Sequence, residues 1–278
     1  MNEKTCIVTG GNSGIGKAVA KALARMNHRV VIVCRNPGKG EAALAEIIKE
    51  SENESVHLVI GNLDTIAQVK NLAATLIERF PETTILINNA GVWMLNRVMT
   101  QEGLEYSFMV NHLAPFILSN LLFPTLKKNS PARIVNVNAG LYTKGNVDLK
   151  ATPYGNDFGR FKTYMNTKLC NVLFTREFAR RIAGSGVTIN AVHPGVIRTN
   201  LGQTPGMGGV FLRLFKLAWG LPAKGARAPV WLATSPEVAD MNGKFFMLNK
   251  EKEYTENAKD DRLAREVWQL SADLSGIG

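Results

Sequence analysis

The strongest constraint on this chain is a repeated alternation. Short apolar runs, each closed by glycine or a polar residue, are separated by stretches whose apolar side chains recur at helical spacing. TCIVTG (5–10) is the first run, and Ile15, Val19, Ala22, Leu23 and Met26 follow it at helical intervals. RVVIVC (29–34) precedes a charged amphipathic stretch over about 38–50, and VHLVI (56–60) precedes another over about 66–80. TILINNAG (84–91), ARIVNVNAG (132–140) and VTINAVHPG (187–195) repeat the theme, and KFFML (244–248) adds one more. Strands apolar on both faces belong in a parallel sheet covered by helices on both sides. The expectation is an α/β, doubly wound, mainly parallel sheet of about seven strands, with residues 1–278 forming a single domain. Ligands of such sheets bind beyond the carboxyl ends of the strands, so the residues after each run are the ones to search for function.

Two stretches break the alternation. Residues 142–160, rich in Gly, Asp, Asn and Pro, read as an inserted loop. Residues 202–222 place glycine and proline at both ends of an apolar, weakly basic core. They read either as a lid over an apolar substrate pocket or as an ordinary packed helix, and FLRLFKLAW within them could instead touch a membrane surface. A net charge of +10 raises nucleic acid as a partner, but the basic residues are scattered, with nothing denser than Lys127-Lys128 or Arg180-Arg181. No nucleic-acid motif accompanies them, and a solvated basic surface is expected. Cys6, Cys34 and Cys170 sit in apolar segments and are expected reduced and buried. Neither they nor His28, His57, His112 and His193 have metal-ligand spacing, so no metal is expected. With four residues before the first run, and no apolar stretch judged long enough to span a bilayer, neither a signal peptide nor a transmembrane segment is expected, and the expected compartment is cytoplasmic.

TGGNSGIGKAV (9–19) has two readings. Gly11-x4-Gly16-Lys17 fits a nucleoside-triphosphate loop, but Ala18 stands where a Ser or Thr hydroxyl would bind magnesium. The other frame, Thr9-Gly10-x3-Gly14-Ile15-Gly16, comes directly after the first strand, opens the first helix and offers its N-terminus to a pyrophosphate. Later motifs favour the second. TGxxxGIG at 9–16, NNAG at 88–91, Asn111 in MVNHLAPF, Tyr164-x3-Lys168 and HPG at 193–195 together resemble, in order and over essentially the whole chain, the short-chain dehydrogenase/reductase family. KLCNVLFTREFARRIAGSGVTINAVHPGVIRTNL and the tail GKFF…AREVWQLSADLSGI resemble its retinol-dehydrogenase-like branch, many members of which carry an N-terminal membrane anchor that is not expected here.

The resemblance implies a Rossmann-type fold and an NAD(P)-dependent oxidoreductase, and it assigns roles residue by residue. Tyr164 would exchange the proton of the substrate oxygen; Lys168, one helical turn on, would hold the nicotinamide ribose and favour the phenolate; Asn111 would position a water that relays protons to the lysine. Gly10, Asn12, Ser13, Gly14, Ile15 and Gly16 would cradle the dinucleotide. Asn62 and Leu63 would meet the adenine, Asn89, Ala90 and Gly91 the adenine-ribose side, and Pro194, Gly195, Ile197 and Thr199 the carboxamide and phosphates. Arg35, where an acidic residue would bind a free 2′-hydroxyl, favours NADP(H) over NAD(H), with Lys39 an additional contact; a merely solvated arginine is the alternative. The family's pattern VNVSS becomes VNVNAG, so Asn138 and Ala139 stand at the serine pair, and Asn138 is a substitute donor only if its amide turns into the pocket. Trp93, Leu141 and Tyr142 would surround a small apolar carbonyl or alcohol. A catalytically weak dinucleotide-binding sensor or scaffold is the competing function, and pairing into a homo-oligomer through the long helices at about 103–127 and 161–184 is open.

Overall fold

Side chains alternate along β1 (Thr5–Thr9): Cys6 and Val8 enter one apolar core and Ile7 the other, as a period of two requires of a strand covered on both faces. The same division runs through β2 (Arg29–Cys34), β4 (Thr83–Asn88) and β5 (Ala132–Val137), with Val31, Leu86 and Ile134 on one side and Ile32, Ile87 and Val135 on the other. The computed structural model describes residues 4–195 and 221–277, and the statements below concern those. The first core is closed by α3 (Ile66–Arg79), α4 (Tyr106–Lys128), α5 (Arg160–Arg181) and α7 (Asp261–Ser275). The second is closed by α1 (Gly14–Ala24), α2 (Pro37–Ser51) and α6 (Pro222–Thr234).

With β3 (Val56–Ile60), β6 (Val187–His193), β7 (Phe245–Met247) and β8 (Lys250–Lys252), the sheet has eight strands in the order β3-β2-β1-β4-β5-β6-β7-β8. Seven are parallel, and β8 adds an antiparallel edge through Phe246↔Glu251. Its all-charged KEK gave no apolar signal, and charge suits an edge strand. The chain runs outward from β1 to β3 and returns to β4 beside β1, so the strand order reverses between β1 and β4. That reversal opens the crevice in which doubly wound sheets bind ligands.

Two expectations need correcting, on the membrane-length helix and on Tyr142. The helix Tyr106–Lys128 is long and apolar enough to cross a bilayer, although 78% of its apolar window is buried in the fold, as a core helix between sheet and neighbouring helices would be. The segment 142–160 is a loop held by two short 3-10 turns, Gly140–Lys144 and Thr152–Tyr154. Within it Tyr142 is 2% exposed, its ring edge-on to Phe245 at 4.6 Å, so it belongs to the core and not to a substrate wall. The lid assigned to 202–222 lies, up to residue 220, outside the described residues.

Candidate active site

At the β1/β4 reversal, two strand ends are tied together by Thr9. Its hydroxyl accepts the main-chain N–H groups of Asn89 and Ala90, each at 3.0 Å, while Asn89 Nδ2 donates to the Thr9 carbonyl at 2.8 Å. Gly10 turns away from β1 at φ +65°, a conformation open to glycine. At Gly16 a Cβ would lie 2.3 Å from the Gly10 carbonyl oxygen and 2.3 Å from Asn89 Nδ2, so close backbone approach at this turn requires glycine. Asn36 and Thr65 cap α2 and α3 with their side chains, whereas Ser13 at the start of α1 makes no capping bond. The N–H groups of α1 are thereby left for an anion. A tight glycine cradle with an open helix end fits a dinucleotide pyrophosphate.

Around this cradle, Asn12 is half-buried and Ser13 exposed, and Asn62 turns its side-chain oxygen onto the Leu63 N–H at 2.9 Å. Arg35 is exposed at the end of β2 and donates from Nη1 to the Tyr106 hydroxyl at 2.9 Å. Pro194 is buried just after β6, and Gly195 follows at φ +93°; Ile197 and Thr199 lie outside the described residues.

Tyr164 and Lys168 come from one face of α5, with Lys168 Nζ 5.7 Å from the centre of the tyrosine ring. A Cβ at Gly91 would sit 3.3 Å from Asn111 Oδ1 and 3.8 Å from Lys168 Nζ, so both groups pack against the end of the NNAG turn. Asn111 lies in a π turn, Met109–Leu113, of the kind often found at functional sites. Its amide is committed to protein partners: Oδ1 accepts Val92 N–H at 2.7 Å, and Nδ2 donates to Val92 O at 2.9 Å and Thr167 Oγ1 at 3.1 Å. Thr167 in turn donates to the Tyr164 carbonyl at 2.9 Å, coupling the π turn to the helical turn that carries the tyrosine. Thr9 opens the TGxxxGIG motif read from the sequence, but its tie to Asn89 and Ala90 was not legible there; Thr167, inside Tyr164-x3-Lys168, was not singled out.

Burial pushes the Tyr164 phenol up to about 12, and burial brings the Lys168 ammonium down to about 8. The expected acidification of the phenol by the ammonium is therefore corrected. Lys168 Nζ turns to the Val137 carbonyl at 3.2 Å, and desolvation dominates at both groups.

The serine slot is also corrected. Asn138 is 4% exposed, its Nδ2 donates to the Lys168 carbonyl at 3.1 Å and its Oδ1 accepts Ala139 N–H at 2.7 Å. The amide is spent on α5 because a buried amide without partners is costly, so it does not turn into the pocket. The half-exposed position is Ala139. On the outer side, Trp93 Nε1 donates to the Arg160 carbonyl at 2.7 Å, and its ring stands 6.1 Å from Tyr164 and 4.9 Å from Phe161. Leu141 is 45% exposed nearby in sequence.

Comparison with known proteins agrees with this geometry. Residues 4–206 match the short chain dehydrogenase family. This chain belongs to the short-chain dehydrogenase/reductase family. Retinol dehydrogenase 13 of Homo sapiens is 39% identical over 281 residues, spanning 99% of this chain and 85% of the relative. Retinol dehydrogenase 14 of Mus musculus is 36% identical over 291 residues, spanning 100% and 87%. These relatives put this short-chain dehydrogenase/reductase on the retinol-dehydrogenase-like branch. An uncharacterized protein from Mycobacterium Paratuberculosis shares the fold at TM-score 0.79 and 28% identity, covering 98% of this chain and 93% of the other. A 3-oxoacyl (acyl-carrier-protein) reductase from Agrobacterium tumefaciens, solved with NADP bound, has TM-score 0.71 at 21% identity over 88% and 92% of the two chains, a likeness of fold. As a member of this oxidoreductase family, the chain interconverts alcohol and carbonyl groups with an NAD(P)(H) cofactor.

Proposed function

We propose that this short-chain dehydrogenase/reductase uses NADP(H), in preference to NAD(H), to interconvert an apolar ketone or aldehyde with its alcohol, and that Tyr164 is its general acid and base. The observation that carries the reading is that Lys168 and Asn111 both pack against Gly91, with the Tyr164 ring beside the ammonium and an uncapped helix end at the same strand ends. When bound, the cofactor supplies or accepts the hydride. Gly10, Gly14 and Gly16 with the N–H groups of α1 hold its pyrophosphate, Asn89 to Gly91 and Asn62-Leu63 its adenosine side, and Arg35 its 2′-phosphate. Lys168 holds the nicotinamide ribose.

Tyr164 donates its proton to the carbonyl oxygen in reduction and takes one from the alcohol in oxidation. A phenol pushed up to about 12 by burial carries its proton at neutral pH, as the donor of the reductive step must. Asn111 has its side chain tied to Val92 and Thr167, so its main chain is the part left to position a relay water. Trp93 and Phe161 beside Tyr164, and exposed Leu141, support an apolar substrate. Three buried cysteines without a disulfide support a reducing, cytoplasmic compartment.

NADPH oxidation against a panel of apolar aldehydes and ketones should show turnover that Tyr164→Phe lowers by on the order of 10²–10⁴. No Tyr164-dependent turnover across the panel would reject the enzyme reading. The reductive rate should hold below pH 8 and decline above it as Lys168, lowered to about 8, loses its charge.

The Asn138 amide turned onto α5 favours a second reading, a catalytically weak dinucleotide-binding protein, because the serine slot then offers no side-chain donor to a substrate oxygen. Under it, Ala139→Ser should raise kcat by on the order of 10²–10³. A parent chain already turning over rapidly, and indifferent to that change, rejects it.

A further inference from the structure

Arg35 and Tyr106 meet across the adenosine end of the crevice. Arg35 follows β2 and Tyr106, 71 residues on, opens α4. The Arg35 Nη1 to Tyr106 Oη bond of 2.9 Å joins the end of β2 to the start of α4. Arg25, Arg29 and Arg176 are each paired with a carboxylate, but among the described residues Arg35 has no carboxylate partner, so its charge is free for an anion. One hydroxyl occupies one of five guanidinium donors and leaves the fork open for bidentate contact with a phosphate.

The backbone that carries the phenol is itself held in place. Tyr106 N–H donates to Val98 O at 2.9 Å, Thr100 N–H to Leu104 O at 2.8 Å, and Met99 bridges Glu105, making an ordered turn before α4. Glu102 accepts the Ile66 N–H at the start of α3 at 2.8 Å, fastening this turn beside the strand ends. Glu105 caps α4 by accepting Phe108 N–H at 2.9 Å.

We propose that Tyr106 is a cofactor-selectivity residue, a positioning residue whose hydroxyl holds Arg35 over the adenosine end so that dinucleotides bearing a 2′-phosphate are favoured. An exposed arginine must otherwise lose side-chain freedom when it meets the phosphate; the Tyr106 bond orders it beforehand. The proposal rests on the NADP(H) reading through Arg35.

Calorimetric titration of the whole chain with 2′,5′-ADP and with 5′-AMP, which differ by the 2′-phosphate, tests both. Tyr106→Phe keeps the ring and should weaken 2′,5′-ADP about three- to tenfold while leaving 5′-AMP unchanged. In an Arg35→Ala background the same change should have no further effect, since the hydroxyl then has nothing to hold. Equal weakening of both ligands would assign Tyr106 a general packing role and overturn the proposal. Tighter binding of 2′,5′-ADP would show competition for Arg35, and unchanged binding would show no role; each also overturns it. If the parent binds the two ligands equally and Arg35→Ala alters neither, the NADP(H) reading has failed and takes this proposal with it. Thermal unfolding of Tyr106→Phe within the parent's range confirms that a selective loss is not a folding defect.

Discussion

Gly16 shows how one missing carbon shapes the turn proposed to hold the cofactor. An added Cβ would meet the Gly10 carbonyl and the Asn89 amide at 2.3 Å, and the carbonyl is backbone that cannot swing aside. Gly16→Ala should therefore spread the turn, weaken NADPH binding at least about tenfold and lower stability by about 1–3 kcal/mol. Fluorescence titration with NADPH and denaturant unfolding measure the two; an alanine variant with parental affinity would show that the turn tolerates the spread. The glycines, Asn111, Tyr164 and Lys168 were legible in the sequence because their spacing and order are one-dimensional facts. The direction of a side chain is not. Asn138 serves the Lys168 carbonyl and Tyr142 packs on Phe245 because partners from other elements settle where a buried amide or ring can rest.

Among the elements, α4 carries a second consequence of burial. His112 sits in the π turn, fully buried, with Nε2 2.8 Å from Ser271 Oγ on α7, and burial brings its imidazole down to about 3. The folded chain keeps it neutral while the unfolded chain protonates it below its ordinary value of 6.5. Unfolded protein thus binds more protons, so stability falls as pH drops from about 6.5 toward 3, by about 1.4 kcal/mol per pH unit for this one group. His112→Gln should make the acid limb of a stability-versus-pH curve shallower by that slope; identical slopes in parent and variant would exclude His112 as its source. The apolar strands and the helical stretches after them announced themselves by period, as at RVVIVC and the charged helix that follows. β8 and the π turn did not, since a charged three-residue edge and one extra residue in a helix leave no periodic trace.

At the scale of the molecule, α7 covers the face formed by α4 and α5. Trp268 stacks on Phe178 at 5.6 Å, meets Phe116 at 4.9 Å, and lies under the Arg181 guanidinium at 4.3 Å. Deleting residues 261–278 should expose Phe116, Phe174 and Phe178, at about 2–3 kcal/mol for each large apolar side chain uncovered. The shortened chain should show a lower Tm and self-associate in light scattering. One that stays monomeric with the parental Tm would mean that α7 contributes little to the core.

The sequence by itself determined the α/β alternation, the glycine turn and the ordered set of Asn111, Tyr164 and Lys168, since period and spacing are local properties of a chain. Only the tertiary structure decided that the Asn138 amide faces α5, that Thr167 joins the π turn to the Tyr164 turn, and that Arg35 reaches Tyr106. Each of those contacts joins residues 30 to 71 positions apart or depends on such a joining, and it exists because strand order brings distant ends together where buried or exposed polar groups need partners.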